Sequence, residues 1–161
     1  MAFTTYTGPV RAGTVREGSG RNTGLALLSQ SATINMSGVA KTSGATAQNL
    51  FTLPAGAQIV DFYVDITTAM TGNSVSACAL IIGNATDDNQ YLESVAIGIT
   101  KGRVARATLE AGVQVDDCAN IGTSDVLLKA IFTATTGNPT AGQVVITCLY
   151  TQRAADRGLI S

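Results

Sequence analysis

The chain has 161 residues, of which 45% are hydrophobic and only 13% charged, with a net charge of −1 and no histidine. That length fits one domain with a real core, the charge balance argues against a nucleic-acid-binding fold, and the missing imidazole removes Ser-His-Asp and Cys-His catalysis and His-ligated metals. A charged share about half the usual ~25% also leaves weakly charged surface, the kind that packs against other chains.

Residues 1–22 carry Gly8, Gly13, Gly18 and Gly20, with Arg11, Arg16 and Arg21 at five-residue intervals and one acid, Glu17. Glycine at this density disfavours a helix, and there are too few apolar residues for a core. Two readings stand, an extended arm or a disordered tail. As an arm, the three guanidinium forks would hold carboxylates of a partner bidentately. They would supply only a few phosphate contacts, so nucleic acid is not the expected partner. The first residues lack a basic stretch followed by an apolar one, so no secretory leader is expected and synthesis is placed in a cytosol. Mean hydropathy is +0.26, yet the most apolar runs, such as Ala77–Ile82, are strand-length and end in Gly or Asn. No membrane partner is expected.

From Thr23 the pattern has period two. Leu25 and Leu27 alternate with small residues, and Ala32, Ile34 and Met36 alternate with Thr33 and Asn35. Residues 37–48 read as a loop rich in Gly, Ser and Thr. After Leu50–Leu53, a Pro54-Ala55-Gly56 turn leads into a strand over 58–66, with Val60, Phe62, Val64 and Ile66 on the core face and Asp61, Tyr63 and Asp65 on the polar face. Thr71-Gly72-Asn73 turns into a strand over 74–82, and a polar loop covers 83–89. Residues 91–100 alternate through Val95, Ile97 and Ile99, and Lys101-Gly102 turns into a strand over 103–109. Ala111-Gly112 precedes a short run over 113–115. The spans 125–135 and 143–152 follow, with Val126, Leu128, Ala130 and Phe132, then Val144, Ile146, Cys148 and Tyr150, on their core faces. Outside the last ten residues nothing shows a helical period. The spacing predicts an all-β fold, an antiparallel β-sandwich, jelly-roll-like, with an extended N-terminal arm. Its divisions are the arm at 1–22, the sandwich at 23–152 and a C-terminal surface tail at 153–161.

Candidate chemistry is sparse. Cys78, Cys118 and Cys148 are odd in number and form no CxxC pair, which suits buried small hydrophobes better than a disulfide framework or a zinc site. Asp87, Asp88 and Asn89 offer oxygen ligands for Ca²⁺, but without EF-hand spacing they read as an Asx-rich turn. Asp116 and Asp117, as neighbours on a strand, would point to opposite faces. Asp61 and Asp65 share a face about 13 Å apart, too far for a glycosidase pair, and are expected to face solvent or a partner. Asn35-Met36-Ser37 and Asn84-Ala85-Thr86 match the glycosylation pattern by chance in so Asn- and Thr-rich a chain. Lys101, Arg103 and Arg106 read as a solvated hairpin edge. No catalytic, cofactor-binding or metal residue is assigned, and no enzyme activity or cofactor is expected.

The run Phe51–Ala69 (FTLPAGAQIVDFYVDITTA), followed by a turn, a strand and Ile82-Gly83-Asn84-Ala85-Thr86-Asp87, resembles small virion structural proteins of tailed bacteriophages, particularly head decoration (cement) proteins and related fibre-base proteins. The resemblance covers Leu50 to Gly102 and rests on a turn-and-strand pattern, not a chemical signature. It implies a β-sandwich that trimerises on the capsid exterior, made in the host cytoplasm, with the major capsid protein and its own copies as partners. The arm, with Arg11, Arg16 and Arg21, would then lie along the shell. A tail, neck or fibre-base component is the alternative. A carbohydrate or host-recognition module needs aromatic platforms, and the chain has no Trp and 5% aromatic residues.

Overall fold

Alternation with a two-residue period puts every second side chain on one face, and two sheets that each own such a face bury them against each other. The structure, a computed structural model, describes residues 25–153. In chain order the elements are β1 (Leu25–Asn35), β2 (Gln48–Leu53), β3 (Gln58–Thr71), β4 (Ala77–Gly83), β5 (Leu92–Ala96), β6 (Gly102–Arg103), α1 (Arg106–Glu110), α2 (Val115–Cys118), β7 (Val126–Thr135) and β8 (Ala141–Arg153). The strands form two four-stranded sheets, ordered β1-β8-β3-β6 and β2-β7-β4-β5. All named pairs are antiparallel. Most successive strands cross from one sheet to the other, which makes this an eight-stranded jelly roll. The expected all-β sandwich is thus what forms. The arm, with Arg11, Arg16 and Arg21, lies outside the described residues, as does the tail beyond Arg153.

One continuous core lies between the sheets. Phe62, Val64, Ile66 and Met70 of β3 and Val144, Ile146 and Cys148 of β8 meet Leu80 and Ile82 of β4 and Leu128, Ala130 and Phe132 of β7. The Pro54–Ala57 turn closes with the Ala57 N–H donating to the Pro54 carbonyl at 3.1 Å, and Gly56 at φ +73° takes the position a side chain would strain. Leu25, at the start of β1, stands opposite Arg153, at the end of β8, and the register then runs without a break to Asn35 opposite Gln143.

Two expectations need correction. The 103–109 strand is only Gly102–Arg103, and α1 and α2 occupy the stretch read as a strand and a short run. Arg106, Ala107, Leu109 and Glu110 are good helix formers, and Arg106 pairs with Glu110 one turn on at 2.6 Å. The second correction concerns β3. Ile59 faces Tyr150 and Asp61 faces Leu149, so the strand carries one extra residue there. That bulge turns Val60 outward, 54% exposed, while Asp61, on the outer face with Asp65, is only 7% exposed beside Arg106 of the covering connection.

The connection from Ile97 to Gly122 seals one side of the sandwich. The Val104 N–H donates to the Val64 carbonyl of β3 and the Ile121 N–H to the Ala57 carbonyl just before that strand, while Glu93 N–H of β5 donates to the Gly112 carbonyl. Ile97, Val104, Leu109, Cys118 and Ile121 drop their side chains into the core from it.

Candidate functional site

The strongest ionic arrangement is a consequence of β3–β6 pairing, which sets Arg103 opposite Asp65. The guanidinium grips the carboxylate through Nε at 2.8 Å and Nη2 at 2.9 Å and lies 5.4 Å from the centre of the Tyr63 ring. Those hydrogen bonds hold the Asp65 carboxyl below the usual carboxylate range, against a smaller opposing push from burial. Beside the pair an open groove of about 460 Å³ runs past Thr67, Lys101 and Val145. Its lining offers the Lys101 cation and the Thr67 hydroxyl, which donates to Gln143 Oε1 and not to a base.

Asp61 was expected to face solvent or a partner. Instead it lies against the sealing connection, accepting the Phe62 N–H at 2.9 Å and facing Arg106 Nη2 at 3.4 Å. Asp61 and Asp65 therefore each have an arginine of their own and do not act as a carboxylate pair. The basic trio does not sit on one hairpin: Arg103 is on β6 and Arg106 on α1. Sequence periodicity could not reveal this, because the bulge shifts the phase and the covering segment is distant in the chain.

The remaining chemically active groups are tied up locally. Burial pushes the Cys78 and Cys148 thiols up to about 12 and, with the Asp117 charge adding to it, the Cys118 thiol up to about 11. All three are free and buried. In the 83–89 loop, Asn84 Oδ1 accepts the Thr86 and Asp87 N–H groups at 2.7 and 2.9 Å, and Asp87 Oδ1 accepts the Asn89 N–H at 3.3 Å. Those oxygens serve the loop's own backbone, as in an Asx turn. Among the described residues no group of three or more His, Cys, Asp or Glu could hold a metal ion. None of the helices there is long and apolar enough to cross a membrane.

The outer face of the first sheet carries a hydroxyl and amide ladder: Ser31 to Thr147 at 2.7 Å, Thr67 to Gln143 at 2.8 Å, Thr151 to Gln58 at 3.4 Å. The outer face of the second is drier. Ile81 stands opposite Ile131 and Ala79 opposite Thr133, and Lys129 is the one charge in its two central strands. Between the sheets' sealed side and the β3 bulge, a depression of about 400 Å³ is lined by Ile59, Val60, Val113, Val115 and Ala119, with Val115 74% exposed at its rim. Sequence reading assigned Val60 to the core and did not single out Val115. The Ile59-Val60 doublet, which breaks strict alternation, was the available sign of the bulge.

No protein-family model matches the chain, and no curated protein does. Among solved structures the fold is similar to a chain in the capsid asymmetric unit of cyanophage Pam1, with a TM-score of 0.55 at 14% identity, covering 91% of this chain and 99% of that one. It is also similar to a chain in the acid-stable capsid of the Helicobacter pylori bacteriophage KHP30, with a TM-score of 0.50 at 16% identity, covering 78% of this chain and 87% of that one. At such identities the likeness is one of fold.

Proposed function

We propose that this chain is a structural component of a tailed-phage particle, a decoration (cement) protein that binds the outside of the head and bridges subunits of the shell. The observation that carries this reading is the end-to-end match of its jelly roll with a chain of a phage capsid, 91% of one length against 99% of the other. The surface chemistry is compatible with it. The hydroxyl-rich β1–β8 part of the first sheet and the nearly uncharged face of the second dock without stripping water from many ions, a step that costs several kcal/mol per buried charge. Single contacts of this kind are weak, and many copies on one shell turn them into firm attachment by avidity. In this reading the role is non-catalytic, the partners are the major capsid protein and further copies of the chain, arranged as a trimer, and residues 1–22 attach through Arg11, Arg16 and Arg21 to shell carboxylates.

The test is the number of copies per purified parent particle relative to the major shell protein. Hundreds of copies support the cement role. A few to a few tens would move the chain to the tail, neck or fibre base, and absence from the particle would overturn the reading. Removing residues 1–22 is expected to leave a folded sandwich that no longer binds the shell. Binding at full affinity would overturn the role given to the three arginines.

A further inference from the structure

A sheet edge exposes a row of unpaired peptide groups, and proteins blunt such edges with short strands, bulges, charges or a covering segment. Three of the four edges here are treated in this way. The first sheet ends in β6, two residues long, with the 97–122 connection hydrogen-bonded alongside β3 beyond it. The second sheet ends on one side in β5, five residues long, with the Gly112–Gln114 segment bonded to it. On the other it ends in the six-residue β2, which carries a bulge between Asn49 and Thr52.

The fourth edge, β1, shows none of these devices among the described residues. Its eleven residues, LALLSQSATIN, contain no charge, proline or glycine, and every one stays in register with β8. Among the described residues no strand lies on its other side. At ~3.3 Å per residue the edge is about 36 Å long. The next rung beyond Asn35 fixes which groups face out: the Met36 N–H donates to the Gly142 carbonyl at 3.0 Å. By the alternation of an antiparallel ladder, even-numbered residues then point their peptide groups at β8, and Leu27, Ser29, Ser31 and Thr33 point theirs away.

We infer that the β1 edge is a strand-addition interface between two copies of this chain, running antiparallel about a two-fold axis near Ser31 and joining two sheets into one of eight strands. A strand that meets its own reversed copy must be self-complementary, and an uncharged one brings no like charges together in any register. An axis at Ser31 pairs odd residues with odd, as the outward peptide groups require. It sets Leu28, 38% exposed on the core-facing side of the sheet, opposite Ile34 of the second copy, and Ser29 opposite Thr33. The contact thus covers an apolar side chain that one copy leaves wet. It is two-fold by construction, so it would join two trimers and not make one. It stands on the fold alone, without the particle reading.

The test is the self-association of the purified full chain by sedimentation, from about 10 μM to about 1 mM, since strand pairing alone is a small interface of the weak class. Two variants accompany it. Ser31→Pro removes an outward N–H at a position where an edge strand tolerates proline. The double variant Ser29→Lys, Thr33→Lys sets lysine opposite lysine across the axis. The wild type is expected to dimerise, and each variant to weaken the dimer at least about tenfold with an unchanged far-ultraviolet spectrum. A monomer at every concentration would overturn the inference. So would association that appears only after residues 1–22 are removed, or a dimer whose constant both variants leave unchanged. None of these outcomes alters the copy number on a particle, so the two proposals fail separately.

Discussion

The two edges of the first sheet are finished in opposite ways. On the β3–β6 side a strand of only two residues is followed by a connection that hydrogen-bonds to Ala57 and Val64 and buries Leu109, Cys118 and Ile121. On the β1 side a strand of eleven residues ends the sheet among the described residues. One edge is closed by tertiary packing, so its side chains contribute to stability. The other is regular and chemically plain: Ile34 reaches the core, but outward-facing side chains such as Leu27 contribute little to the folded monomer. The contrast separates what holds the domain together from what is left for assembly.

Substitutions at the two edges should expose that division. The largest effect is expected from Leu109→Ala, which empties a core position beneath α1 and should cost about 2–5 kcal/mol in urea or thermal unfolding. In that variant Cys118, held under the same connection, should become open to thiol labelling before Cys78 and Cys148, which lie in strands. Simultaneous labelling of all three would mean that the connection does not open on its own. Asp61→Ala comes next, at about 1–3 kcal/mol, because it removes the acceptor of the Phe62 N–H at a buried bulge.

A smaller effect is expected at Asp65, whose carboxyl Arg103 holds below its ordinary value. A carboxyl depressed in the folded state stabilises above its unfolded value of about 3.9, and that contribution fades as pH falls through the folded value. Asp65→Asn should flatten the acid limb of the stability profile, while changing stability at neutral pH by about 0.5 kcal/mol or less, as for an exposed pair. The smallest effect is expected on the open edge. Leu27, 62% exposed on β1, should tolerate Leu27→Ser within about 0.5 kcal/mol in the same melts. A large loss there would mean that β1 is stabilised by its side chains after all, and the contrast would fall.

How much of this was legible in the sequence follows from the range of each signal. The strands over 126–135 and 141–153 read directly from alternation, since Leu128, Ala130 and Phe132, or Val144, Ile146 and Cys148, each follow a two-residue period without interruption. The stretch at 103–118 was misread because helices of five and four residues are too short to show a period of 3.6. Val60 was misplaced because one inserted residue reverses every face before it, whereas Asp61 keeps the outer face of Asp65 and is covered there. The role of Asp61 was hidden further, since Arg106 reaches it from 45 positions along the chain by a fold-dependent route. Tyr63 beneath Arg103 needed the β3–β6 register, which no local pattern supplies. The uncharged run at 25–35 was visible in composition, but its place at the edge of the sheet among the described residues is a property of the topology.

Leu25, which begins β1, and Arg153, which ends β8, stand directly opposite one another on adjacent antiparallel strands. Tension applied between those two points would load the β1–β8 rungs one at a time, as a zipper is drawn. Tension between Leu25 and the far end of β8, near Ala141, would load them all together in shear. The same domain should therefore part at low force when pulled by its two ends and resist a much higher one when pulled along its length.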